Sequence, residues 1–455
     1  MRRTLHAIAL LCLVATLASF EIGRRAEREY RAALAGLSGP LPFELVAEDY
    51  ERGWFRSRAV TVLRGRAPAA PGDTALRLRL HHEIEHGPYP LGYVLSRDFD
   101  GWPVAVRART LATLEAVGAG ETEVLALPFG VEGLFTRAGD ARLRIVPDPA
   151  HAGALAPDAA ATLRIAGDGS SLSGRLEVPR AELESEAGSF VLRGLAWELD
   201  YRRAPEAGSL YAGESRLRVG LLRVAPGTAG FELRELALSV ASGVSAAGWS
   251  LEARGSLGRF HGDEREIGPG ELELRVTGLA PGPLAELVAL GRHLGGGATS
   301  IDFGTEAVGA HELSGALAAL WPRLMALGPT FEIPRLRLET AQGELRMALR
   351  LGVDPADPAA LAEPWGTVFA LALDAELALP EALLHLWLAT PRPVADGAGD
   401  EAALWVAPAE LASRRVATWL DRGYLERHEG RYLLTVRVRK GSVRLNGRLV
   451  PPEAL

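Results

Sequence analysis

From about Leu41 onward the chain alternates apolar and charged residues with a period of two, and this pattern commits most of its length to β-sheet. A two-residue period sends successive side chains to opposite faces of a strand, whereas a helix would need a period near 3.6. Leu76-Arg77-Leu78-Arg79-Leu80, Arg142-Leu143-Arg144-Ile145-Val146 and Arg216-Leu217-Arg218-Val219 all show it. So do Glu271-Leu272-Glu273-Leu274-Arg275-Val276 and Leu336-Arg337-Leu338-Glu339. Each has one apolar face and one face of Arg or Glu, the signature of antiparallel sheet packed on one side and wet on the other. Gly- and Pro-containing stretches, Ala67 to Asp73 and Pro147 to Pro157, read as turns or loops between strands.

Helical spacing is confined to a few segments. Pro283 to Leu294 begins with proline near its first turn and stops at Gly295-Gly296-Gly297. Glu306 to Leu327 sets Leu313, Leu317, Leu320, Trp321 and Leu324 on one face. Pro380 to Ala389 and Ala409 to His428 follow, the second with a stripe at Leu411, Val416, Leu420 and Leu425. Tyr432 to Arg439 and Ser442 to Leu445 read as closing strands joined by a tight turn at Lys440-Gly441. The expected fold is α+β and predominantly antiparallel β: a large twisted sheet, in one form curled into a groove, with helices in the second half.

At the N-terminus, Arg2 and Arg3 precede an apolar run from Leu5 to Phe20. Flanking charge followed by an apolar core marks a targeting segment, read here as an uncleaved signal anchor that enters the inner membrane through residues 5–20. The run is shorter than the roughly 20 residues that span a bilayer, so a cleaved signal ending near Ala18 and Ser19 is the rival. A lipoprotein is disfavoured because Leu10 and Leu11, not small residues, precede Cys12. Glu21 to Leu37 reads as a short, charged, mostly helical stalk. The expected segments are an anchor helix over 1–23, a stalk over 24–40 and a β-rich domain over 41–282. A helical segment over 283–330 and a C-terminal α/β part over 331–455 complete the chain.

With 50 basic and 57 acidic residues and a net charge of -7, the chain offers no electrostatic case for nucleic acid. Cys12, inside the apolar run, is the sole cysteine, so the body contains neither disulfide nor thiol chemistry.

The one match to a catalytic metal motif fails on geometry. His82-Glu83-Ile84-Glu85-His86 matches the H-E-x-x-H pattern of zinc proteases, which requires a helix to bring both imidazoles to one metal. Here the run continues the alternation of Leu76 to Leu80 and ends at Gly87-Pro88. In a strand, residues four apart are about 13 Å apart at roughly 3.3 Å per residue, too far for one zinc. No G-x-S-x-G elbow and no phosphate-binding glycine loop is present. No catalytic residue, metal site or cofactor is expected.

Three segments stand apart from this strand grammar. Tyr50-Glu51-Arg52-Gly53-Trp54-Phe55 places two large aromatics beside a glycine, and Glu85-His86-Gly87-Pro88-Tyr89-Pro90-Leu91 is a rigid turn holding an aromatic. Near the end, Gly441-Ser442-Val443-Arg444-Leu445-Asn446-Gly447 reads as a strand ending in an Asn-Gly turn. These segments are read as fold-setting, with binding by Trp54 and Tyr89 as the functional alternative.

Together the three segments resemble the YdgA-like family of bacterial envelope proteins, a family of unknown function. Its Y-x-R-G-x-F-x-S element is matched by Tyr50, Arg52, Gly53, Phe55 and Ser57, and its H-G-P-F-P element by His86, Gly87, Pro88, Tyr89 and Pro90. The C-terminal run is matched by Gly423, Tyr424, Leu425, Gly430, Tyr432, Asn446 and Gly447. Arg56 and Tyr89 depart mildly from the family's usual residues. The resemblance implies an inner-membrane anchor and a periplasmic body, and supplies no catalytic residue. The expected role is that of a structural or interaction protein of the cell envelope, self-association included. The alternative is a lipid- or hydrophobe-binding module with an open apolar groove, and the accessibility of the apolar strand face decides between the two.

Overall fold

A computed structural model describes residues 18–32, 43–65, 75–96, 100–117, 122–151, 154–156, 159–185, 188–205, 210–226, 230–262, 265–295, 319–353, 370–389 and 408–450, with isolated positions between them. The chain divides into two compact units. Unit 1 contains residues 1–237 and 285–308, and unit 2 contains 238–284 and 309–455.

Unit 1 is an antiparallel meander. Its strands are β1 (Phe43–Glu51), β2 (Arg56–Gly65), β3 (Ala75–His86), β4 (Val104–Val117) and β5 (Thr122–Thr136). They are followed by β6 (Ala141–Pro147), β7 (Ala160–Ile165), β8 (Ser171–Ser185), β9 (Gly188–Arg203) and β10 (Tyr211–Pro226). Each pairs with the next in sequence, so no crossover interrupts the ladder. The core lies where this ladder meets itself. Leu125 of β5 packs with Val178 and Ala181 of β8, Phe190 and Leu192 of β9, and Val219 and Val224 of β10. The Phe129 and Phe190 ring centroids are 6.0 Å apart. A one-faced sheet must cover its apolar side, and the cover over this core is sheet from the same meander.

β11 (Phe231–Ser245) leads toward unit 2, where β12 (Gly248–Leu257) and β13 (Arg259–Gly262) both pair with β14 (Arg265–Leu279). The ladder continues through β15 (Thr330–Thr340), β16 (Gly343–Val353), β17 (Leu371–Pro380) and β19 (Arg431–Arg439). β18 (Glu426–His428) pairs with β19, and β20 (Ser442–Leu445) and β21 (Arg448–Val450) close the chain. Two helices, Glu381–Ala389 and Pro408–Asp421, are inserted between β17 and β18. Leu384 and Val416 from these helices pack with Leu379, Leu425 and Tyr432.

The alternating segments all fall within strands, and the antiparallel β prediction holds. Lys440 and Gly441 have φ of 48° and 74°, the left-handed pair that a two-residue hairpin turn requires. One helix boundary is corrected. The helix expected over Ala409 to His428 stops at Asp421, because Gly423 turns left-handed at φ 66° and Glu426–His428 joins the sheet. The pattern misled because Leu420 and Leu425 pack on the same core from two different elements. Of the helix expected over Glu306 to Leu327, residues 319–325 are helical. Residues 306–314 and 316–318 of that helix, the loop Ala67 to Asp73 and residues 1–15 of the expected anchor lie outside the described residues. Among the described residues no helix is long and apolar enough to cross a membrane.

Candidate functional site

The H-E-x-x-H run lies in β3, where His82 and His86 share a face with Ile84 and pair against Ala59, Thr110 and Val106 of the neighbouring strands. On β2, Ser57, Ala59 and Thr61 are buried, as are Ile84 and His86 on β3. Above this patch sits the helix of residues 18–32. Of the segment read as a stalk, residues 21–32 are helical and pack along the sheet.

Each histidine holds one end of that helix. His86 Nδ1 donates to the Ser19 carbonyl at 3.0 Å, which leaves Nε2 of the neutral ring to accept from Ser57 Oγ at 3.0 Å. Gly23 passes over the same ring so closely that a Cβ there would overlap it. His82 stands between two threonines, with Nε2 3.0 Å from Thr61 Oγ1 and Nδ1 2.8 Å from Thr110 Oγ1. The Thr61 hydroxyl in turn lies 2.5 Å from Tyr30 Oη, and the Tyr30 ring meets His82 edge-on at 5.4 Å. A helix rises 1.5 Å per residue, so Ser19 to Tyr30 covers about 16 Å, enough to reach both histidines about 13 Å apart on the strand. The spacing that cannot bind one zinc suits a docked helix.

Burial holds the His82 imidazole well below the ordinary histidine range, at about 4, and the neighbouring His81 pushes the same way. Burial also lowers His86, opposed by the Ser19 carbonyl and assisted by Arg52. Burial raises the Tyr30 and Tyr50 phenols. Both histidines are therefore neutral near pH 7 and serve as hydrogen-bonding struts.

The first two sequence motifs converge here. The Tyr50 ring lies 5.4 Å from that of Tyr30. Arg52 reaches Glu27 at 3.0 Å and stands 5.2 Å over the Phe20 ring. Gly53 lets the chain turn so tightly that a Cβ would strike the Arg56 carbonyl. Trp54 packs 5.2 Å from Phe20 yet remains 57% exposed, and the Phe55 carbonyl accepts from His86 N–H at 2.9 Å. Gly87, at φ 146°, lies where a Cβ would come within 2.6 Å of Ser19 Oγ. Tyr89 adopts φ 62°, a left-handed conformation unusual for a side chain of this size, and Pro90 caps the short helix Leu91–Val94.

Beneath that short helix runs a line of alternating charge. Arg56 bonds Glu85 at 2.7 Å, Glu85 lies 3.6 Å from Arg107, and Arg107 donates to Glu132 at 2.5 Å. Arg144 completes the line on the other oxygen of Glu132, which is only 1% exposed. The sequence reading missed Ser19, Gly23, Tyr30, Thr61, Thr110 and this charged line. One signal was available for the helix: Ser19 and Gly23, four apart, form a small-residue notch on its surface, and an interior helix glycine usually marks close approach.

The C-terminal motif stands in unit 2 and does local work. Gly423 has a left-handed φ of 66°, which favours glycine, and Tyr424 N–H donates to the Trp419 carbonyl at 2.8 Å. Asn446 and Gly447, at φ 45° and 78°, make the β20–β21 turn. Asn446 also accepts from Thr435 N–H at 2.6 Å and donates to the Leu433 carbonyl at 3.1 Å, filling a gap beside β19.

In unit 2 one row of cross-strand neighbours, Leu272, Leu336, Met347, Leu377 and Leu434, runs across five strands. None of the five is fully buried, and the last four border a surface concavity of about 630 Å³.

The family model for a bacterial protein of unknown function (DUF945) matches residues 1–453, nearly the whole chain. The chain belongs to this family. No curated protein and no solved structure matches it. The match takes in the N-terminal apolar run, the helix clamp and the C-terminal turns, and the family it defines has no known function.

Proposed function

We propose that this DUF945 chain is a single-pass inner-membrane protein of the bacterial envelope, with a periplasmic body that acts by binding other envelope components and not by catalysis. The more specific resemblance, to YdgA-like proteins, belongs to the same reading. The observation that carries it is the clamp: the helix that follows the apolar run is fixed along the sheet by His82, His86 and Gly23. A tether packed in this way gives the body a set orientation relative to whatever residues 5–20 enter, which suits a scaffold or interaction protein. Fractionation of cells expressing the full chain tests it. The protein should resist carbonate extraction from inner membranes and should be degraded by protease added to spheroplasts. Extraction by carbonate, or full protection from external protease, would overturn the assignment.

The row from Leu272 to Leu434 supports a second reading, in which unit 2 binds an apolar ligand such as a phospholipid acyl chain. Native mass spectrometry of the full chain in mild detergent distinguishes the two. Stoichiometric phospholipid, lost on Met347→Glu, would favour ligand binding. A bare chain or bare homo-oligomer would favour the scaffold.

A further inference from the structure

Exposed apolar side chains gather at one end of unit 1, the end where β3 reaches His86. Trp54 is 57% exposed, Tyr89 47%, Leu91 75% and Leu95 81%, with Phe55 and Val94 also open to solvent. Backbone bonds tie them to one place. His86 N–H donates to the Phe55 carbonyl, Gly87 N–H to Ala105 and Tyr89 N–H to Val104. The Leu91–Val94 helix lies over Glu85 and Arg107, on the sheet face opposite the histidines, and a Cβ on Gly92 would strike both side chains. Trp54 lies on the helix side, against Phe20. The apolar side chains therefore wrap around the end of the sheet.

We propose that this rim is a membrane-contact surface that seats unit 1 on the bilayer interface. The occupant follows from where the chain goes. The clamped helix runs with Ser19 at His86 and Tyr30 farther along at His82, so its N-terminus points out past the rim. Phe20 is the last residue of the apolar run from Leu5, and it is already in contact with Trp54. Any bilayer entered by residues 5–20 meets the rim directly. The chemistry agrees: Trp and Tyr favour the headgroup level, with a polar tip toward water and an apolar body toward lipid. Tyr89 is held outward by a left-handed backbone that the Pro88 and Pro90 rings rigidify. Among the described residues, packing leaves all six of these apolar side chains at one end more than a third exposed.

The inference rests on the anchor reading, and sole Cys12 separates the two failures. The full chain is reconstituted in vesicles of phosphatidylethanolamine and phosphatidylglycerol. A nitroxide is placed on native Cys12, or, with Cys12→Ser, on Leu91→Cys, Leu95→Cys or Val124→Cys. Val124 is an exposed control near Arg77, at the opposite end of β3. Collisions with oxygen should exceed those with a water-soluble nickel chelate at 12, 91 and 95, and the order should reverse at 124. A lipid-type signal at 12 with a water-type signal at 91 and 95 would reject the rim and leave the anchor standing. A water-type signal at 12 would reject both. As an independent measure, brominated acyl chains should quench tryptophan emission less in Trp54→Phe, and unchanged quenching would also count against the rim.

Discussion

The Ser19 carbonyl accepts a hydrogen bond from His86 Nδ1 across 67 residues of sequence, joining the start of the helix to the end of β3. The contact is possible only because Gly23, one turn later, presents no side chain to the same imidazole.

Gly23→Ala should therefore destabilise unit 1, although alanine is the better helix former. Propensity alone favours alanine by about 1 kcal/mol. Overlap of the new methyl with the His86 ring should outweigh this, with a net loss of about 1–3 kcal/mol as in other overpacked sites. Urea unfolding of the full chain in detergent reads the difference. In the double variant Gly23→Ala with His86→Ala, the two losses should be strongly less than additive. Additive losses would show that the two residues do not share one contact.

The same clamp should weaken in acid. Both histidines have folded-state values below the ordinary 6.5, so the undocked form takes up more protons. Stability then rises with pH wherever that difference exists. Docking is fully favoured above about pH 6.5 and is lost progressively as pH falls toward about 4, the value held by His82. Arg52 beside His86 and His81 beside His82 add repulsion once the rings charge, while Tyr30 and Tyr50 stay neutral throughout. The protection factors of amides 20–30, corrected for the intrinsic exchange rate at each pH, should fall over this interval. His82→Gln should flatten the response, and an unchanged profile in that variant would remove His82 as its source.

Much of this architecture was legible in the sequence, because a strand writes its two faces into the alternation of residues. The strand reading of His82 to His86 followed from Leu76 to Leu80 and from Gly87-Pro88, and it is what separates the two imidazoles. What covers those imidazoles was not legible. Tyr30 and Thr61 are 31 residues apart, and nothing local in either segment names the other. The motif residues were found without their reason: Gly87 and Gly53 stood out, but the Ser19 hydroxyl and Arg56 carbonyl that require them come only from tertiary contact. The alternation also could not show that unit 1 covers its core with its own strands while the Leu336–Met347 row in unit 2 stays partly open.

Glu132 makes the charged line a stability determinant. Its carboxylate is buried and divided between Arg107 and Arg144, both of which are partly exposed. Removing one arginine leaves a buried charge half compensated, whereas removing the glutamate leaves cations that water can still reach. Arg107→Met should therefore be the more damaging change, by about 3 kcal/mol, and Glu132→Gln the milder one. Equilibrium unfolding of the two variants checks the order, and the reverse order would place the main burden of desolvation on the arginines.

Asn446 does two things at once in unit 2, and substitutions can separate them. Its backbone is left-handed, which glycine tolerates better than alanine, and its side chain bonds both the Thr435 N–H and the Leu433 carbonyl. Asn446→Gly keeps the turn and removes only the side-chain bonds, so its loss should be about 1–2 kcal/mol. Asn446→Ala removes the bonds and adds the cost of φ 45° on a residue with a Cβ, roughly 1 kcal/mol more. Asn446→Asp retains the acceptor for Thr435 N–H but turns the other oxygen toward the Leu433 carbonyl, where two acceptors face each other. That variant should fall below glycine at pH 7 and recover as the carboxyl protonates. Thermal unfolding at pH 7 and pH 4 measures both, and an aspartate variant as stable as wild type at pH 7 would mean that the Leu433 bond contributes nothing.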